Sequence, residues 1–179
     1  SRGLGDVYKR QVIAFLGRAV MNGTLAGGVL PVIKHVPGHG RAKADSHLSL
    51  PRIDVAEGEL RAVDFCPFQA LRDAPLAMTA HVLLPCYDEQ RPASVSPVIM
   101  GEVIRGLIGL EGLVMSDDIG MKALGGPFAD RARDVIAAGC DVALHCSGDF
   151  AEMVETASAV PPLAGLAADR GVHHGGHRA

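Results

Sequence analysis

No stretch of eighteen apolar residues occurs in this 179-residue chain, which excludes a membrane-spanning helix. No charged-then-apolar segment opens it, so a secretory leader is not expected. Seventeen Lys and Arg against 20 Asp and Glu leave no basic excess for nucleic acid, and no run of like charge reads as a tail. The four cysteines, Cys66, Cys86, Cys140 and Cys146, form no CxxC pair. They are expected as reduced, buried thiols in a cytoplasmic protein. What remains is an ordinary globular composition, 48% hydrophobic and 21% charged with a net charge of −3, in a length sufficient for one domain with a core.

The two ends stand apart from the rest. Residues 1–11 (SRGLGDVYKRQ) carry neither helical nor strand periodicity and read as a leader foreign to the domain. Residues 166–179 are mostly polar and patternless towards the end, and are expected to form a disordered tail. Between them, residues 12–165 alternate strands and helices. Val12 to Leu25 has apolar residues at helical spacing, closed by Gly27-Gly28. Val29 to Ile33 is an apolar run expected as a buried strand. Asp54 and Glu57 have the spacing of a capping box, opening a helix expected to reach about Arg72. Pro75 to His81 reads as a second strand. Ser96-Pro97 is an N-cap with proline at the first helical position, ahead of a helix ending near Gly109. Gly112 to Met115 is a third strand, followed by a helix over Ala129–Ala138. Cys140 to Leu144 is a fourth strand, followed by a last helix over Ala151–Val160.

Four short apolar strands, each followed by a helix, indicate a parallel α/β sheet buried on both faces. Each strand also ends in titratable residues: Lys34-His35, His81, Asp117-Asp118 and His145. A doubly wound sheet concentrates its site at one switch point. Polar ends on every strand suggest a ring opening on one mouth, as in a (β/α)8 TIM barrel. A complete barrel takes about 250 residues, so the expectation is a partial barrel of about four C-terminal βα units.

The densest chemistry is Lys34-His35-Val36-Pro37-Gly38-His39-Gly40, followed by Asp45-Ser46-His47. Pro37 and two glycines break regular structure, so these groups sit on a loop at a strand's C-terminal end. The block resembles the KHFPGHG…DSH signature of the bacterial β-N-acetylhexosaminidases of glycoside hydrolase family 3, with Val36 where the family has Phe. Val114-Met115-Ser116-Asp117-Asp118-Ile119-Gly120-Met121 resembles that family's SDD-L-x-M strand.

The resemblance implies a retaining exo-β-N-acetylglucosaminidase acting on muropeptides or chitooligosaccharides in peptidoglycan recycling. It implies a cytoplasmic enzyme with no metal, no other cofactor, and no nucleic-acid or membrane partner. Asp117 matches the nucleophile, the carboxylate that forms the glycosyl-enzyme in a retaining mechanism. His47 matches the general acid/base, paired with Asp45. A nearby carboxylate suits this work because it fixes the imidazole's tautomer and stabilises imidazolium. Lys34 and His35 match sugar-hydroxyl ligands.

Each of these positions also has a plainer reading. Asp117 and Asp118 suit a helix N-cap, Asp45-Ser46-His47 an Asx-turn that shapes its loop, and Lys34 an ion pair with Asp117. His35, His39 and His47 with Asp45 also form a candidate ligand set for a metal-dependent hydrolase. A further alternative is an inactive piece of the glycosidase. The residues assign no role to His39, His81 or His145.

Overall fold

The structure, a computed structural model, describes residues 4–175. Four strands, β1 (Val32–Val36), β2 (Leu76–Thr79), β3 (Leu113–Asp118) and β4 (Val142–Leu144), form one parallel sheet in the order β1-β2-β3-β4. Val32 lies opposite Leu76, Leu76 opposite Leu113, and Met115 opposite Val142. Within this sheet β1 and β4 are the edges. The four-unit partial barrel expected from the sequence is the architecture found.

A row of helices covers the sheet's outer face. It comprises α1 (Leu4–Ala26), the broken segment α2 (Glu57–Glu59) through a π-type stretch (Leu60–Asp64) to α3 (Cys66–Gln69), and a π-type helix (Ile99–Ile108). It continues with α4 (Phe128–Ala138) and α5 (Phe150–Ser158). α1 packs on α3 at one end of the row and α5 on α4 at the other. The core lies between row and sheet. Ala77 and Val114 meet Phe65, Ile99, Val103, Ile104, Ile108 and Val135, all buried. The helices end where left-handed backbone is needed: Gly109 (φ 78°) closes the π-type helix and Gly139 (φ 108°) closes α4, positions that favour glycine because it has no Cβ.

Several boundaries differ from the sequence reading. β1 begins at Val32, not Val29. Pro31 has no N–H to place in a ladder, and Val29 and Leu30 are exposed. Asp54 caps no helix. Its Oδ1 accepts from Arg52 Nε at 2.8 Å, and Ala56 precedes α2 without a side-chain cap. α1 is continuous through residue 12, where Arg10 Nη1 donates to the carbonyl of Ala62 at 2.6 Å. α6 (Gly165–Gly175) occupies part of the stretch read as a tail. It is tied down by Arg170, whose Nη1 reaches Asp141 Oδ1 at 2.7 Å. Residues 1–3 of the leader and 176–179 of the tail lie outside the described residues. Among the cysteines, Cys140 is buried and Cys66 half-buried, but Cys86 and Cys146 are exposed; all four are free thiols. Burial pushes the Cys140 thiol up to about 12. No helix among the described residues is long and apolar enough to cross a membrane.

Two close fits fix the sheet to its surroundings. Ser96 caps as its sequence context indicates: its Oγ accepts from the Ile99 N–H at 3.1 Å and donates to Asp88 Oδ2 at 2.8 Å. Ser96→Ala strands that buried N–H and is expected to cost roughly 1–2 kcal/mol. Urea titration of both proteins measures it, and a loss below about 0.3 kcal/mol would show that the cap contributes nothing. Gly112, just before β3, runs so close to the preceding chain that a Cβ there would overlap the carbonyl oxygens of Ala74 and Pro75.

Candidate active site

The C-terminal ends of the four strands open on one cleft of about 500 Å³. β1 supplies Lys34 and His35, and the loop after it His39, Asp45, Ser46 and His47. β2 supplies Met78, β3 Asp117 and Asp118, and β4 Leu144 with Cys146 beyond it. Every residue singled out as catalytic or substrate-binding thus lines one wall-to-wall space. The reason is topological: parallel strands all point their carboxyl ends the same way, so polar strand ends converge.

Asp117 stands at the centre. Its Oδ1 accepts from the Asp118 N–H at 2.9 Å, which leaves Oδ2 towards His35, whose Nε2 is 3.9 Å away. The partner found for this carboxylate is therefore the histidine of the Lys34-His35 pair. Burial lowers the His35 pKa; Asp117 opposes that effect, while Lys34, His39 and His47 add to it. A neutral His35 donates or accepts one hydrogen bond at each ring nitrogen, which suits a sugar hydroxyl.

Asp118 has a scaffold role. Its Oδ1 accepts from the N–H groups of Gly120 at 2.9 Å and Cys146 at 3.1 Å, stitching the turn after β3 to the end of β4. His145 is packed behind it, with Nδ1 3.7 Å from Asp118 Oδ1 and Nε2 3.0 Å from Glu152 Oε2. Phe128 covers the ring at 4.7 Å.

Asp45 and His47 face the same cleft from an exposed loop. Asp45 Oδ1 accepts from the backbone N–H of His47 at 2.9 Å, so the Asx-turn is formed. No hydrogen bond or ion pair between the Asp45 carboxylate and the His47 ring occurs among the described residues. The turn and the dyad are compatible, since one oxygen serves the backbone and leaves the other free.

The metal-site reading gains no geometric support. Among the described residues no group of three or more His, Cys, Asp or Glu is placed to hold an ion. The rings of His35 and His39 stand 6.1 Å apart, centroid to centroid.

Ser94 is a functional neighbour that the sequence reading missed. It is wholly buried and holds His81 Nδ1 at 2.6 Å. A lone serine in a polar loop carries no signal of such a contact. Met78 and Leu144, which form the cleft's apolar floor, read from sequence only as strand residues.

A parallel sheet with flanking helices, whose strand ends all meet in one polar cleft, places the molecule in the class of (β/α)8 barrels. The glycosyl hydrolase family 3 N-terminal domain matches residues 7–166, and the chain belongs to that family. It is 42% identical over 154 residues to a β-hexosaminidase of Alkalilimnicola ehrlichii, a match covering 82% of this chain and 44% of the relative. A β-hexosaminidase of Chromobacterium violaceum is 37% identical over 162 residues, covering 88% of this chain and 45% of the relative. The chain thus spans less than half the length of these relatives. Among solved structures, NagZ from Neisseria gonorrhoeae in complex with N-trifluoroacetyl-D-glucosamine superposes with a TM-score of 0.78 at 32% identity, covering 90% of this chain and 47% of that one. A family 3 β-N-acetylglucosaminidase from a Paenibacillus species gives a TM-score of 0.78 at 27% identity, covering 92% of this chain and 33% of that one.

Proposed function

We propose that residues 12–165 are the chemistry-bearing half of a retaining exo-β-N-acetylglucosaminidase that removes terminal N-acetylglucosamine from muropeptides during peptidoglycan recycling in the cytoplasm. The observation that carries this reading is the single cleft lined by Lys34, His35, Asp45, His47 and Asp117. Asp117 attacks the anomeric carbon and forms the glycosyl-enzyme. His47, supported by Asp45, protonates the departing oxygen and then takes a proton from water. Lys34 and His35 donate to ring hydroxyls. Met78, Leu144 and Met121 give the cleft an apolar lining against which a sugar's C–H face can rest. The names borne by the relatives and the sugar analogue in the NagZ complex point to the same substrate class.

The test is a chimera in which residues 7–166 replace the matching stretch of the Alkalilimnicola ehrlichii relative. It should hydrolyse p-nitrophenyl N-acetyl-β-glucosaminide. A fluorinated N-acetylglucosaminyl fluoride should leave a covalent sugar on the peptide containing Asp117. A folded chimera with neither activity nor label would overturn the proposal.

His47→Ala in the same chimera should discriminate between substrates. An aryl glycoside with a good leaving group needs little protonation, so its glycosylation step should slow less than that of a disaccharide, by about a hundredfold difference. Asp45→Ala should show a milder form of the same selectivity. Single-turnover rates on the two substrates measure this, and equal losses on both would remove His47 from the acid role.

A further inference from the structure

His81 lies two residues beyond β2 and is wholly buried. Its two ring nitrogens have different partners. Nε2 lies 3.0 Å from the backbone carbonyl oxygen of Asp118, and Nδ1 lies 2.6 Å from Ser94 Oγ. A carbonyl oxygen only accepts, so Nε2 carries the hydrogen. Nδ1 is then a bare acceptor in the neutral ring, and the Ser94 hydroxyl donates to it. The contacts therefore specify one tautomer.

We propose that His81 is a positioning residue. Its Nε2–H holds the Asp118 carbonyl and so fixes the direction in which β3 presents Asp117 to the cleft. This rests on the reading of Asp117 as the reacting carboxylate, but the contact itself does not. The carbonyl held is one residue beyond Asp117, and Asp117 Oδ1 in turn accepts from the Asp118 N–H. The Asp118 residue is thus gripped at its carbonyl from the segment after β2, while its side chain is tied to the chain after β4. The Asp118–Ile119 peptide plane is held from both sides, its carbonyl by His81 and its Ile119 N–H by the Leu144 carbonyl at 2.9 Å. It therefore has little freedom to rotate, and Asp117 is the residue immediately before it.

The charged groups around the ring are Asp117 and Asp118 on β3 and Arg131 on α4. The carboxylates and the bond to the Asp118 carbonyl raise the His81 pKa and Arg131 lowers it, but burial outweighs the rest and the net shift is downward. The neutral form that the contacts require is the form that burial favours. In the unfolded chain histidine protonates near 6.5. As pH falls below that value the unfolded state takes up a proton that folded His81 refuses, so stability falls with pH across that window.

Long-range ¹H–¹⁵N correlation spectra of the full 179-residue chain test this directly. The expected pattern for His81 is protonated Nε2, bare Nδ1 and no change of tautomer between pH 8 and 6. Protonated Nδ1, or an imidazolium at neutral pH, overturns the proposal without any variant being made. His81→Gln and His81→Phe then separate hydrogen bonding from packing. The glutamine amide can still donate to the Asp118 carbonyl, whereas phenylalanine fills the space and donates nothing. Backbone shifts of Asp118 and Ile119, and the side-chain ¹³Cγ shift of Asp117, should stay near wild type in the glutamine variant and move in the phenylalanine variant. If phenylalanine preserves them as well as glutamine does, the role is packing alone. The gap in Tm between wild type and His81→Gln should also narrow from pH 7.5 to 5.5, and a gap that stays constant counts against a neutral ring. None of these readouts uses glycosidase activity, so an inactive chimera leaves the assignment of His81 standing.

Discussion

Asp117→Asn in the chimera is expected to lower kcat on p-nitrophenyl N-acetyl-β-glucosaminide by at least three orders of magnitude while leaving the fold intact. An amide has the shape of the carboxylate but neither its charge nor its nucleophilicity. A retaining glycosidase without its nucleophile loses the covalent intermediate altogether, and losses of this size correspond to about 4 kcal/mol or more of transition-state stabilisation. Asparagine can still accept from the Asp118 N–H as Asp117 Oδ1 does now, so the turn after β3 should survive. Steady-state kinetics with circular dichroism as the fold control provide the measurement. A folded Asn variant that retains more than about a tenth of the rate would show that Asp117 is not the nucleophile.

The largest expected loss of stability lies at Gly112. A methyl group there meets the Ala74 and Pro75 carbonyls, which are backbone atoms and cannot step aside as a side-chain tip can. β3 would have to move away from β2, although Leu113 N donates to Pro75 O at 3.0 Å in this same stretch. Overpacking costs typically ~1–3 kcal/mol where side chains can yield, so Gly112→Ala should lie at or above the top of that range. Thermal melts of the two proteins decide it. A fall in Tm comparable with that of alanine at the exposed and uncrowded Gly40 would show that the strand shifts freely.

The reading from sequence succeeded where the cause is local or topological. Strand runs bounded by glycine and proline placed β2, β3 and β4 to within a few residues. Shared parallel direction then brought Lys34, Asp117 and His47 to one cleft although they are far apart in the chain. It failed where a distant partner decides. Asp54 and Glu57 have capping-box spacing, but Arg52 holds Asp54. Val12 to Leu25 has helical periodicity, yet Phe15 is 73% exposed. Periodicity reveals that a face is apolar and not what covers it. His81 could not be separated from a ligand until Ser94 and the Asp118 carbonyl were seen on either side of its ring.

The helix row has a counting consequence. An eight-stranded barrel carries one helix per strand, hence one in each seam between neighbouring strands. Here the row holds five helical segments over four strands, with α1 packed beside α3 at one end and α5 beside α4 at the other. Suppose two copies were set around a twofold axis to make eight strands. Each of the two new seams would then receive α5 of one copy and α1 of the other. Two helices would compete for a berth that holds one, and Phe150, 78% exposed on α5, would meet the far copy's α1 rather than a strand groove. A second copy of this chain is therefore the wrong complement for its edges. A complement to these edges would need four strands with only three helices between them.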